Sequence, residues 1–428
     1  MLLRLFSRPG KIPALCCTAL FCFHFSASAA WWKGNLHTHS LWSDGDDYPE
    51  AIAEWYKTNG YHFLAFSDHN ILLEGERWVA LTNGNRAQSA LDKYRARFGA
   101  AWVEQRAVGG TQYVRLKTLE EFRGLFEETQ RFLLIPAEEI TDKFKTHPVH
   151  INGINIAEFL KPQGGSNVLD VLQRNVNAVL EQRRRTGRPM FPHINHPNFG
   201  WGITAEELMR VEGERFFEVY NGHPAVNNEG DLYHASTGRI WDLLLTFRLA
   251  QLDLEPMFGL AVDDGHSYHL MSPTNSNPGR GWVVVRSPDL SAASVIAALE
   301  AGDFYSSSGV RLRDIRAASD SLAIEIDAEP GATYTTQYIG TRVGFDARSE
   351  PAARPAGTIA PVTRQYSGQI GEVLAEVAGT APKYTFRGDE IYVRAKVISS
   401  KLKKNPYRSG EAEVAWVQPV LPGRIVNQ

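Results

Sequence analysis

From Lys33 to about Ser308 the chain repeats one pattern: a short apolar run that reads as a strand ends in a histidine or a carboxylate. Phe63-Leu64-Ala65-Phe66 leads into Ser67-Asp68-His69-Asn70, and residues 132–135 lead into Ala137-Glu138-Glu139. Residues 190–194 lead into Asn195-His196-Pro197, and residues 257–262 into Asp263-Asp264-Gly265-His266. Residues 36–39, 149–156, 216–220 and 282–285 read as further strands. Helical periodicity covers 49–57, 168–185, 240–249 and 292–301. Such alternation predicts an α/β fold with parallel strands and crossover helices. In barrels of parallel strands the C-terminal strand ends gather on one rim, where chemistry sits.

Both ends depart from this pattern. Arg4, Arg8 and Lys11 accompany an apolar run over 12–25, and Ser26-Ala27-Ser28-Ala29-Ala30 follows. That order predicts a secretory signal over residues 1–30, hence an exported, periplasmic or secreted protein. The run is too short to span a bilayer comfortably, which ranks an uncleaved anchor second. No membrane span is expected after cleavage. Cys16, Cys17 and Cys22 are the only cysteines, so the expected mature chain has neither thiol nor disulfide. Of 45 Lys and Arg residues three leave with the signal, so 42 face 48 Asp and Glu, a net charge of −6. A mildly acidic body argues against coating extended nucleic acid through phosphate contacts.

Residues 31–309 are expected to form one domain, with a mostly helical insert over 72–130 in which Thr118 and Glu121 fit a capping box. A connection that long is expected to form a lid or wall beside the site. After about Val310, period-two alternation, as in Leu322-Ala323-Ile324-Glu325-Ile326, predicts a small β-sandwich-like module over 310–428.

His37-Thr38-His39 places two imidazoles on one face of an extended segment. Asp44 follows in the turn Ser43-Asp44-Gly45, and Asp264-Gly265-His266 repeats the i, i+2 spacing. Singly these are weak: His-x-His and Asp-x-His are common, and Ser-Asp-Gly is usually just a turn. Their arrival from independent strands at one rim carries the signal. Mixed imidazole and carboxylate ligands suit zinc, manganese or iron, not calcium. The candidates are His37, His39, Asp44, His69, Glu139, His150, His196, Asp264 and His266. At about four to six ligands per ion they provide for two or three divalent metal ions.

The succession His37-x-His39, Ser43-Asp44-Gly45, Asp68-His69, Glu139, His150, His196-Pro197 and Asp264-x-His266 resembles the PHP superfamily, the polymerase and histidinol phosphatase domain. The resemblance covers roughly Lys33 to Ser308 and implies a distorted (β/α)7 barrel holding two or three metals. It implies that His37, His39 and Asp264 serve the first metal and that Glu139 bridges the first two. His150 and His196 would serve the second, and Asp44, His69 and His266 the third. The family usually has Gly-x-Glu where this chain has Ala137-Glu138-Glu139, which leaves Glu138 as the alternative bridge. The long insert after Asn70 also departs from compact members. The expected export and the β-rich tail resemble a group that includes metallohydrolases of carbamate esters. Other members are phosphoesterases or exonucleases.

The resemblance implies an enzyme that hydrolyses phosphomonoesters, nucleotides or oligonucleotide ends with a metal-activated hydroxide. Asp264 and His196 are its candidate catalytic residues. A carboxylic or carbamate ester hydrolase on the same metals is the alternative, and a non-catalytic metal-binding domain is the third reading. A phosphatase is expected to place additional Arg, Lys or His beside the metals, an ester hydrolase to line its pocket with apolar side chains. The expected partner is a small-molecule ester, nucleotides included. His193, Asn221 and His223 are candidate substrate contacts, with a purely structural His193 expected equally. Asp68 either orients a ligand imidazole or caps a turn. Arg183-Arg184-Arg185 reads as cations at a helix C-terminus rather than as a phosphate patch.

Overall fold

The computed structural model describes residues 29–82, 84, 86–354, 357 and 361–422. Apart from Ala29 and Ala30, the expected signal segment lies outside the described residues. No described helix is long and apolar enough to cross a membrane. The chain opens with β1 (Ala30–Asn35), α1 (Pro49–Thr58) and β2 (Phe63–Phe66). Next come β3 (Arg77–Leu81), α2 (Arg86–Phe98), β4 (Gln105–Val108), β5 (Thr111–Leu116) and α3 (Leu119–Phe126). Then follow β6 (Leu133–Phe144), β7 (His147–Ile154), α4 (Val168–Thr186), β8 (Phe191–Ile194) and α5 (Ala205–Leu208). The first half of the architecture ends with β9 (Phe216–Asn221), α6 (Thr237–Ala250), β10 (Phe258–Val262), β11 (Trp282–Ser287), α7 (Ala292–Glu300) and β12 (Phe304–Ser307). The remainder is strand: β13 (Leu312–Ala318), β14 (Ser321–Ile326), β15 (Tyr334–Arg342), β16 (Ser349–Glu350), β17 (Gln365–Tyr366), β18 (Glu372–Ala378), β19 (Lys383–Thr385), β20 (Glu390–Leu402) and β21 (Ala412–Val420).

One sheet of thirteen strands runs β10-β9-β8-β7-β6-β2-β1-β11-β12-β21-β20-β15-β18. The expected parallel pairing is found between β1 and β2, β2 and β6, β8 and β9, and β9 and β10. It fails at β7, which is antiparallel to both β6 and β8. Only Lys145 and Thr146 join β6 to β7, with Lys145 at φ +56, and so tight a turn cannot make a crossover. β1 also starts earlier than expected, because residues 30–34 pair antiparallel with β11. His37 and His39 therefore follow the strand instead of lying on it. No ladder joins β10 to β1 among the described residues. A single parallel bridge between Thr38 and Gly265 does, with His39 N–H donating to Gly265 O at 3.0 Å.

Alternate residues of these strands bury opposite faces, so the runs read as continuously apolar. Phe63 and Ala65 join Ile135, Ile154, Phe191, Phe216 and Leu260 in one inner cluster. Leu64 and Phe66 turn the other way, toward Ile52 and Tyr56 of α1 and Phe122 of α3. Gly34 is needed for this: a Cβ there would lie 2.1 Å from the Phe63 ring.

The insert is not mostly helical. β3, β5 and β4 form an antiparallel sheet, and Gly109-Gly110 makes the hairpin turn that helical periodicity nearby obscured. The Thr118–Glu121 capping box is present. The insert packs as a wall behind the loop that carries Asp44: Trp42 Nε1 donates to Lys117 O and Tyr48 stacks on Tyr94 at 3.8 Å. Glu50 fastens it to α1, accepting from Tyr94 Oη at 2.6 Å and Trp102 Nε1 at 2.8 Å.

The region after Val310 is strand-rich, and β13-β14-β19 shares a buried cluster with the large sheet through Leu322, Ile324, Tyr338 and Val397. It is not a separate appendage, since β21 pairs with β12 and carries the sheet across the expected boundary. Asp242 of α6 accepts from Arg394 Nε and Nη2, both at 2.7 Å, and from Tyr392 Oη at 2.9 Å, all out of solvent.

Two measurements test this packing. Asp242→Ala leaves the Arg394 guanidinium buried without its partner and is expected to cost ~3–5 kcal/mol by urea unfolding. A loss below about 1 kcal/mol would mean that the pair does not join the two parts. Burial pushes the Glu50 carboxyl from 4.5 up to about 7. The folded state then holds a proton that the unfolded chain releases, so stability falls as pH rises through that window. Glu50→Gln should gain ~3 kcal/mol on the wild type between about pH 4 and about pH 8. A pH-independent difference would contradict the shift.

Candidate metal centre

Local hydrogen bonds set the backbone before each chemical side chain begins. Asn35 Oδ1 accepts from His37 N–H at 2.9 Å, and Thr38 N–H donates to Ser67 Oγ at 3.0 Å. Asp68 accepts from Ser40 N–H, Ser40 Oγ and Ser43 Oγ, which is the turn-holding role of the two expected for it. Asp264 sits at φ +50, a left-handed conformation that Asp and Asn tolerate best among residues with a side chain. Its carbonyl accepts from His266 Nδ1 at 2.8 Å and from Ser276 Oγ.

All nine candidate ligands meet at one rim. His37 Nδ1 lies 2.6 Å from Glu218 Oε1, so a neutral ring with its proton on Nδ1 turns a lone pair on Nε2 inward. That nitrogen lies 3.1 Å from His39 Nε2, 3.2 Å from Asp264 Oδ1 and 3.6 Å from Glu139 Oε2. His39 Nε2 lies 3.2 Å from the same Asp264 oxygen and 3.4 Å from Glu139 Oε2. Glu139 Oε1 is 2.9 Å from His150 Nδ1 and 3.4 Å from His196 Nε2, and its Oε2 is 2.7 Å from His69 Nδ1. Asp44 Oδ1 is 3.2 Å from His266 Nε2 and 3.6 Å from both His39 Nδ1 and His69 Nε2. The groups able to hold an ion are His37, His39 and Asp264; His37, Glu139 and His196; His69, Glu139 and His150; His37, His193 and Glu218; and His39, Asp44, His69 and His266.

Glu139, His37 and His39 are fully buried, whereas the Asp44 side chain is 48% exposed and marks the mouth. Burial works to raise the Glu139 and Asp264 carboxyls, but the surrounding imidazoles outweigh it and hold both well below the usual range. Burial, with His266 and His69 alongside, pushes His39 down to about 3. Burial also opposes charge on His37, yet Asp264, Glu218 and Glu139 push it well above its ordinary value. The cluster thus demands positive charge while its imidazoles cannot all be protonated together. Glu139 Oε2 has no hydrogen bond of good geometry among the described residues, although His69 Nδ1 lies 2.7 Å away, and His37 Nε2 and His39 Nε2 face each other at 3.1 Å. That donor set fits divalent cations.

Other expected residues divide by what they touch. Glu138 faces away from the cluster and accepts from Leu160 N–H at 3.0 Å, while Glu139 lies among the imidazoles. His193 is fully buried, 3.2 Å from Glu218 Oε1, the structural one of its two expected roles. Asn221, expected at the substrate, is buried and spends its amide hydrogens on Glu218 Oε2 at 2.8 Å and Asp264 Oδ2 at 3.1 Å. His223 is half-buried at the mouth, its ring 5.5 Å from that of His266. Its Nδ1 accepts from Ala225 N–H at 3.0 Å, so a neutral ring carries its proton on Nε2. Arg183, Arg184 and Arg185 pair with Glu300, Glu181 and Glu158, away from the cluster.

Sequence reasoning missed Glu218 as the partner of His37; its signal was a lone carboxylate inside Phe216-Phe217-Glu218-Val219-Tyr220. It also missed Asn195, which donates to Glu139 Oε1 at 2.8 Å. No family model matches the chain, and no curated protein matches it. Among solved structures it is similar to a two-domain protein from Bacteroides vulgatus described as containing a predicted PHP-like metal-dependent phosphoesterase. That similarity has a TM-score of 0.39 and 13% identity, and it covers 91% of this chain and 95% of the other.

Glu218→Gln replaces an acceptor of four hydrogen bonds by a group that must point its amide nitrogen at two of the four donors. It is expected to weaken Mn2+ or Zn2+ retention by about 10–100-fold with the fold intact, as measured by chelator competition and circular dichroism. Undiminished retention would show that Glu218 does not orient His37.

Proposed function

We propose that this chain is an exported metal-dependent hydrolase of phosphate esters, phosphomonoesters and nucleotides first, built on a distorted (β/α)7 barrel of the PHP type. The observation that carries the reading is the buried convergence of His37 Nε2, His39 Nε2, Glu139 Oε2 and Asp264 Oδ1, with separations of 3.1, 3.2 and 3.4 Å among them. The barrel reading draws on the seven strands from β10 to β1 and on the Thr38–Gly265 bridge between their ends. Export rests on the N-terminal pattern alone.

Two or three divalent ions fit, held as the resemblance implies: His37, His39 and Asp264; Glu139 with His150 and His196; Asp44, His69 and His266. Bound ions would bring the pKa of a water toward ~7 and offset charge on the substrate. The remaining work falls to the chain. Glu218 and Asn195 hold His37 and Glu139 in place. Asp264 Oδ2 and His196 Nε2, 3.9 Å apart, are the groups between which the proton would be moved. His223 presents Nε2–H at the mouth and would donate to a phosphoryl or leaving oxygen. Three divalent ions against Asp44, Glu139, Glu218 and Asp264 would leave about two positive charges, which suits a phosphomonoester dianion better than a neutral ester.

A carboxylic or carbamate ester hydrolase is the second reading, and one observation favours it. Among the described residues, the ion-pair partners of Glu139, Glu218 and Asp264 are all histidines, with no Lys or Arg among them. Phe199 adds an apolar wall, its ring 5.1 Å from His196 and 5.9 Å from His150.

Metal-stripped protein reconstituted with Mn2+ or Zn2+ and given p-nitrophenyl phosphate and naphthyl acetate separates the two. Phosphate release is expected, reduced at least about 100-fold in His37→Ala and Asp264→Asn. Asn keeps the left-handed backbone, so that loss would be chemical. Naphthol without phosphate would select the second reading. Fewer than one ion per chain and neither product would leave a non-catalytic domain.

A further inference from the structure

We infer that the loop 403–411, between β20 and β21 of the C-terminal region, positions Asn221 and through it the carboxylates of Asp264 and Glu218. The inference rests on the metal-site reading given above.

Asn221 is the last residue of β9, and it and both of its neighbours are tied to this loop. Its backbone N–H donates to Asn228 Oδ1 at 3.0 Å, and its carbonyl accepts from Asn228 Nδ2 at 2.8 Å. The same Asn228 nitrogen donates to Tyr407 Oη at 3.0 Å. Tyr220, one residue earlier, accepts from Lys403 Nζ at 2.7 Å and stacks on Trp416 of β21 at 5.4 Å. Gly222, one residue later, has its carbonyl bound by Arg280 Nη1 at 2.9 Å, while Arg280 Nε donates to Asn405 O at 3.1 Å. The Gly222 contact is close: a Cβ there would meet Asp263 O and Arg280 Cβ at 2.8 Å.

Tyr220, Asn221 and Gly222 thus answer to Lys403, Tyr407 and Asn405 respectively. At the centre, one amide group serves two carboxylates that lie in different strand ends. Neither hydrogen bond is long, so a displacement of about half an ångström would carry both past good geometry. A loop that only packs the C-terminal region onto the rest would affect stability alone. A loop that positions Asn221 would affect ion retention and turnover and would lose its effect once Asn221 is gone.

A double-mutant cycle reads this difference. Wild type, Tyr407→Phe, Asn221→Ala and the double variant, all full chain and metal-stripped, are titrated with Mn2+ against a fluorescent chelator. Their metal-free melting temperatures and kinetics with p-nitrophenyl phosphate are compared. Tyr407→Phe is expected to keep its metal-free Tm within about 2 °C. It should bind Mn2+ about 3–10-fold more weakly and lower kcat with KM unchanged, against about 10–100-fold weaker binding for Asn221→Ala. The double variant should match Asn221→Ala. If Asn221→Ala does not fold, Asn228→Ala replaces it, because Asn228 is the link between Tyr407 and Asn221. Wild-type binding in Tyr407→Phe, or losses that multiply in the double variant, would overturn the inference and leave the metal reading standing. Wild type that retains no metal would remove both.

Discussion

Three buried carboxylates, Glu139, Glu218 and Asp264, share one end of seven strands, and like charges cannot be buried together without positive charge between them. Much of the rim answers to that constraint. Seven imidazoles are packed among the acids, and amides from Asn195 and Asn221 add donors to Glu139 Oε1, Glu218 Oε2 and Asp264 Oδ2. Protons alone are a poor solution. His37 is driven to keep one while His39, pressed by His266 and His69, is driven to lose it. The arrangement is therefore frustrated as bare protein, and the stability of the surrounding strands must hold it together.

What the sequence made legible follows from this chemistry. Strand ends carrying His69, His196 or Asp264 stood out because a histidine or acid at the close of an apolar run is conspicuous. All nine candidate ligands do come together. Direction was not legible at β7, because periodicity reports which faces are buried and not which way a strand runs. Two residues between β6 and β7 held that information, and it was a loop length, not a pattern. Glu218 was hidden for a different reason. It lies within an apolar strand, where a carboxylate looks like an exception until His37 and His193 are seen beside it. Asn195 and Asn221 had no spacing rule to expose them, since an amide can serve any site where a donor is lacking.

The C-terminal region shows the same limit. A change in composition near Val310 marked where the character of the chain alters, and the strands there are as the alternation indicates. It could not reveal that β21 returns to pair with β12, or that Arg394 comes to rest on Asp242. Pairing across 100 residues or more depends on which edges remain open after the first part has formed. That is a tertiary property, and it puts strands of both parts into one sheet.

The Thr38–Gly265 contact has a dynamic consequence. Most neighbouring strands in the set pair over two or more residues, β8 and β9 register at one pair, and β10 meets β1 through one bridge and the His39 N–H to Gly265 O bond. Local opening is cheapest where the fewest backbone bonds must break, so this seam is one of the places where the strands part most readily. His39 lies on one side of it and Asp264 and His266 on the other. An ion gripped from both sides would act as a rivet. Hydrogen exchange at the His39 amide would then follow the occupancy of the centre, and the backbone itself would register whether the site is filled.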